Sequence, residues 1–161
     1  MLPEPTLVRL ATQLEVLPSL LGEARPALLT WRPPTGKWSA HENLAHLARH
    51  HEILRERLGR ILGEERPQLA RYRAEEDPEW PCWSALHTDE VLSRMRRLRG
   101  EILGRIRELS PAQLARVGVH PLLGEMAIPE WLEFFLLHEA HHLYVVMIRL
   151  GEARKALAAD A

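Results

Sequence analysis

The chain has 161 residues, 46% of them hydrophobic and 27% charged, a length and balance that give one domain with a core of its own and exclude disordered and low-complexity classes. The 21 Lys and Arg stand against 22 Asp and Glu, a formal charge of −1, so no overall field draws the chain to nucleic acid or to an anionic membrane. The single cysteine, Cys82, excludes an intramolecular disulfide and every zinc site built on several thiolates.

Four segments carry helical period, and none carries the alternation of a half-buried strand. The first places Leu7, Leu10, Leu14, Leu17 and Leu21 on one stripe, with Thr6 as its expected N-cap and Pro18 expected to kink or shorten it. The second opens at Ser39 with the capping-box pattern Ser-Ala-His-Glu, in which Glu42 reaches back to the cap, and runs through Leu44, Leu47, His51, Leu54, Leu58 and Ile61 to a stop at Gly63. The third, Thr88 to Leu109, sets Val91, Met95, Leu98, Ile102, Ile106 and Leu109 on one face. Its six arginines, interleaved with Glu90, Glu101 and Glu108, read as solvated faces rather than a nucleic-acid patch. After a short capped turn at Ser110–Gln113, the fourth begins at Pro129 and runs to Gly151; being apolar on nearly every side, it should be the most buried helix. The Pro/Gly-marked stretches 31–37, 75–82 and 117–127 read as connections. With no internal repeat and no linker, residues 1–161 form a single all-α domain, a four-helix bundle with some long loops.

Nine histidines, more than Phe, Tyr and Cys together, are the compositional surplus. Side chains four apart share a helix face, which singles out His46/His50 and His138/His142; random scattering would leave only ~0.4 such pairs. On a helix as apolar as the fourth, an imidazole must satisfy its ring nitrogens internally, and a shared metal does so directly. The run His138-Glu139-Ala140-His141-His142 is also a literal H-E-x-x-H. Its surroundings do not support a zincin protease: Val145 and Ile148 stand where the extended form needs Gly and His, and few residues follow to supply a distant carboxylate. A third ligand must then come from upstream. On the second helix the apolar stripe is centred near His50 and His51, with His46 roughly 110° away on its flank, so periodicity favours His50 or His51. A bundle helix touches two neighbours, however, and a flank position can face the cleft between them.

Trp38-Ser39 followed by Asn43-Leu44-Ala45-His46-Leu47, the turn His120-Pro121-Leu122-Leu123-Gly124-Glu125-Met126, and the block Glu130-Trp131-Leu132 through His138-Glu139-Ala140-His141-His142 together resemble the DinB/YfiT-like superfamily. The resemblance spans about residues 31 to 150. It implies a four-helix bundle holding a divalent metal on three histidines, and residue by residue these fall on His46, His138 and His142, overriding the periodicity preference. His50 is then a candidate for a fourth ligand, for the shell around the metal or for the cleft wall, His141 for that shell, and Glu139 for a catalytic base or for a contact with another helix. Zinc, nickel or iron would suit imidazole ligands.

Three neutral imidazoles leave coordination positions open, the arrangement of a catalytic rather than a closed structural site. Similar proteins include S-transferases that use low-molecular-weight thiols such as bacillithiol or mycothiol, maleylpyruvate isomerases, and proteins labelled metal-dependent hydrolases. The resemblance therefore implies a small-molecule substrate, with a low-molecular-weight thiol as second partner, and a homodimer; the alternative is a non-catalytic metal-binding or stress-associated bundle. Trp38, Trp131 and Tyr144 read as core, 80–83 as an ordinary packed loop. The N-terminal Met-Leu-Pro-Glu-Pro lacks the order of a signal peptide and no span reaches ~20 uncharged apolar residues, giving the expectation of a cytoplasmic protein without membrane or nucleic-acid partners.

Overall fold

The structure is a computed structural model that describes residues 2–159. The N-terminal leucine stripe forms a broken helix: α1 (Glu4–Thr12), a 3-10 turn (Gln13–Val16) and α2 (Leu17–Leu21), where Pro18 occupies the first turn. A proline can start a helix but cannot continue one, since its ring blocks the carbonyl four residues earlier. The cap of α1 is Pro3, and Thr6 lies inside the helix, its hydroxyl donating to Glu133. After the short α3 (Pro26–Thr30) comes α4 (Ala40–Gly63), opened by the expected capping box between Ser39 and Glu42. Arg32 clamps the far side of the Glu42 carboxylate. A long connection and the short α5 (Trp80–Ser84) lead to α6 (Thr88–Arg107), and Ser110 caps α7 (Pro111–Leu114).

Residues 117–127, expected to be only a connection, form an antiparallel hairpin of β1 (Val117–His120) and β2 (Gly124–Ala127), paired Val117 with Ala127 through His120 with Gly124. Four-residue strands carry too little alternation for the pattern to register. The hairpin lies close on α4: a Cβ on Gly118 would fall 2.8 Å from both Ile61 and Leu69. The last helix, α8, runs Ile128–Ala159 and passes Gly151, where a stop was expected. Gly151 has no positive φ, and the alanine-rich residues beyond it, all good helix formers, sustain the helix.

These helices make a four-helix bundle in which the broken N-terminal helix, α4, α6 and α8 are the staves. The central stave is α4, packed on both α6 and α8, and it corrects the expectation that the fourth helix is the most buried. Sixteen of the 24 residues of α4 are buried, against 11 of 32 in α8; α8 leaves Leu137, Tyr144 and Met147 half-exposed or more. The core falls into two apolar clusters, one around Leu17, Leu44, Leu47, Met95 and Val146, the other around Leu10, Leu58, Ile61, Ile102, Trp131 and Phe135. Between the two levels lies a polar layer of His51, Arg99 and Glu139, all buried, with Gln13 at its edge. Arg99 corrects the expectation that the arginines of the third segment are all solvated. Four residues after Met95 and three before Ile102, it shares their buried face, where Glu139 supplies the counter-charge that makes burial tolerable.

Candidate metal centre

The capping box that starts α4 also starts the site. Asn43, one turn into the helix, donates its amide to the Ser39 carbonyl at 2.7 Å, which fixes its oxygen toward α8. His142 donates Nδ1–H to that oxygen at 2.8 Å, so its Nε2 lone pair is free. His46, three residues after Asn43, and His138, four before His142, bring Nε2 to Nε2 at 3.1 Å. Each of the three imidazoles offers a nitrogen, and these nitrogens lie within 4.8 Å of one another. Two ligand nitrogens around a tetrahedral zinc stand about 3.3 Å apart, given Zn–N of about 2.0–2.1 Å. Two neutral imidazoles can make one hydrogen bond at such a contact, whereas an ion between them uses both lone pairs. The donor set therefore fits a divalent metal, with a hydrogen-bonded amide orienting one ligand as metal sites commonly have.

Electrostatics keeps these ligands in the state a metal requires. Burial, then the charges of neighbouring histidines, pulls His46 down to about 2. Burial is also the main cause that takes His138 to about 4 and His142 to about 3. All are neutral at physiological pH, so no proton has to be expelled before a cation binds. Among the described residues, the Nδ1 atoms of His46 and His138 are buried without partners.

The other sequence-selected residues are distributed around this cluster. His50 is buried, 4.1 Å ring to ring from His138 and stacked on Phe135, so it stands on the wall of the site. His141 is exposed and meets only the edge of His142. Glu139 is not brought to the three histidines. It is fully buried in the polar layer, taking hydrogen bonds from Gln13 and Arg99. His51 donates Nδ1–H to the Leu47 carbonyl at 2.7 Å and accepts from Arg99 on Nε2. As a neutral acceptor it leaves Arg99 as the counter-ion of Glu139. Burial alone would raise the Glu139 pKa, but the charge and hydrogen bond of Arg99 hold it below the ordinary carboxylate range. The H-E-x-x-H run is thus split between two environments, its histidines on one side of α8 and its carboxylate on another.

Sequence reasoning passed over three neighbours of the cluster. Asn43 stands in the family motif with nothing in the sequence to mark its role beyond its place three residues before His46, which puts both on one face. Tyr72, from the connection after α4, stacks on His46 at 5.4 Å, and burial raises its phenol pKa. Trp38 was read as core; it lies 5.1 Å from His46, half-buried and stacked on Trp80 at 5.0 Å. By contrast Trp131 is core and Tyr144 exposed. The 80–83 segment is helical, with Trp83 buried and Cys82 exposed, and the thiol is no part of the cluster. A cavity of about 320 Å³ reaches His46, His50 and His138, and His120 lines it too. On the other flank a hollow of about 400 Å³ touches Trp38, Asn43 and His142.

The sequence model of the DinB superfamily matches residues 9–146. No curated protein matches the chain in sequence. Among solved structures it is similar to YfiT from Bacillus subtilis, described as a probable metal-dependent hydrolase with an unusual four-helix bundle topology, at a TM-score of 0.75 and 19% identity over 96% of this chain and 87% of that one. It is also similar to TT2238, a four-helix bundle protein, at a TM-score of 0.66 and 27% identity over 90% of this chain and 98% of that one.

Proposed function

Because the chain belongs to the DinB superfamily, we propose that it is a divalent-metal enzyme acting on a small molecule, with His46, His138 and His142 as the ligands. The observation that carries this is the convergence of three neutral imidazoles from two helices within 4.8 Å, with no carboxylate or thiolate among them. YfiT, which shares the fold, is described as a probable metal-dependent hydrolase, and hydrolysis or transfer of a low-molecular-weight thiol is the chemistry proposed here. A divalent ion on three imidazoles supplies Lewis acidity to a water or a thiol in its open positions. Imidazole donors suit zinc, nickel or iron.

The residues of the chain do the rest. Asn43 holds His142 in the tautomer that presents Nε2. Trp38 and Tyr72 pack against His46, which helps to bury it. Glu139, locked to Arg99, has no proton-transfer role in this scheme; its place is structural. A cytoplasmic location belongs to the same reading, and among the described residues no helix is long and apolar enough to cross a membrane.

The test is metal analysis of protein purified without a His tag, beside His138→Ala. The expected result is about one ion per chain in the parent and loss of it in the variant. A parent free of metal, with the substitution changing neither metal content nor stability, overturns the reading. For turnover, a panel of thiols and small electrophiles is followed with the metal-loaded protein. In transfer the sulfur bonds to the electrophilic carbon, the leaving group departs with the electron pair, and the thiol proton passes to solvent. Absence of metal-dependent turnover on thiol and hydrolytic substrates alike would leave a metal-binding bundle without catalysis.

A further inference from the structure

The cavity that reaches His46 and His138 has about 320 Å³, the size of a small-molecule site. No Asp or Glu lines it, while two guanidiniums, Arg57 and Arg71, do. Arg57 is only 7% exposed. Among the described residues its Nη2 donates to the Ala70 carbonyl at 2.8 Å and its guanidinium lies 5.2 Å over the Trp131 ring, but no carboxylate pairs with it. A guanidinium carries five N–H donors, so most of this one is left for another acceptor. Burial lowers its pKa to about 10, and it remains charged at neutral pH. It lines the same cavity as His46, His50, His120 and His138, which places the charge close to the cluster. Arg71 is exposed, and among the described residues no carboxylate pairs with it. A buried cation without a counter-ion is costly to maintain. Here a partner that arrives with the ligand would offset that cost.

We propose that the small molecule taken by this site carries a carboxylate, seated between Arg57 and Arg71, with an apolar body along Phe134, Leu122 and Leu123 and its reacting group at the histidine cluster. The last part rests on the metal-enzyme reading above; the carboxylate seat rests on the guanidiniums alone. A carboxylate matches the planar fork of an arginine through two parallel hydrogen bonds. Phosphate groups, by contrast, are commonly cradled by free backbone amides in turns and at helix starts. In the hairpin turn beside this cavity the Leu122 and Leu123 amides are already donated to His120 Nδ1, at 3.2 Å each, so that turn offers no such cradle. The apolar wall fits an organic body: Leu122 and Leu123 stand together on the hairpin turn, 70% and 54% exposed, and line the cavity with Phe134.

The experiment titrates benzoate, benzamide and phenyl phosphate into the full chain, once stripped by a chelator and once loaded with zinc. The Trp131 indole resonance reports, because that ring lies under Arg57. Benzoate should bind at least tenfold more tightly than neutral benzamide in both forms, and no more weakly than phenyl phosphate. Arg57→Met should reduce benzoate affinity at least tenfold, and Arg71→Gln, at an exposed position, at least threefold with folding intact. Equal binding of benzoate and benzamide overturns the proposal, as does a benzoate preference seen only with zinc, since the ion would then be the anion's partner. Tighter phenyl phosphate binding, or benzoate affinity unchanged in Arg71→Gln, overturns it as well. Zinc binding is read separately in the same samples: failure to take up zinc with the benzoate preference intact removes the metal reading and leaves the carboxylate seat standing.

Discussion

Glu139 follows a proposed metal ligand directly, yet one residue of helix is about 100° of rotation, enough to send its carboxylate into the layer that separates the two halves of the core. Glu139→Gln keeps the shape and removes the charge, leaving Arg99 buried without its counter-ion. Breaking a buried pair from one side costs about 3–5 kcal/mol, so denaturant unfolding should show a loss of that order while metal content stays at the parent level. Metal loss with stability retained would instead place this carboxylate at the metal. The sequence made the H-E-x-x-H run obvious and its division between two environments invisible. The missing information was Arg99 and Gln13, one of six similar arginines and one unremarkable glutamine, brought to Glu139 only by packing. The nomination of His46 came from family resemblance and not from period. The apolar stripe of α4 describes what faces the bundle centre, whereas His46 faces a neighbour on its flank.

At the level of elements, α4 and α6 were legible because stripe and cap agree. The Ser39/Glu42 box begins α4 where the leucines begin, and the apolar positions of α6 recur every three or four residues along a face that is buried in the bundle. Helix α8 was legible in its existence but not in its environment, because an apolar residue count does not say which face finds a partner. Leu137, Ala140, Tyr144 and Met147 follow the three-four spacing of a coiled-coil seam and are all exposed. The family resemblance implies a homodimer, and for such a pair this exposed row is the expected contact, one α8 against another. Tyr144→Glu puts a like charge on each side of that contact, so light scattering should give twice the chain mass for the parent and the single mass for the variant, with unchanged helicity. A parent that is monomeric at tens of micromolar, or a dimeric variant, removes the seam from consideration.

Across the whole molecule, the near-neutral charge hides a concentrated acid sensitivity. His46, His50, His138 and His142 are all held below the ordinary value of 6.5, chiefly by burial. In the unfolded chain these groups take up protons as pH falls through about 6.5, while the folded chain resists until far lower. The unfolded state then binds more protons, so the stability they allow is complete above about pH 6.5 and declines continuously below it. Glu42 and Glu139, whose pKa values are lowered by their arginine partners against the effect of burial, add a further decline only below about 4.5. Urea midpoints for the metal-free protein should therefore fall between pH 7.5 and 5.5, before any carboxylate titrates. A flat profile across that window would mean that the cluster opens to solvent. The stack of Trp38 on Trp80 bears on how such changes can be seen. With one indole 5.1 Å from His46 and 6.4 Å from His142, the fold places a light-emitting group beside the imidazoles, and the colour and yield of its fluorescence become an unlabelled optical gauge of their charge and occupancy.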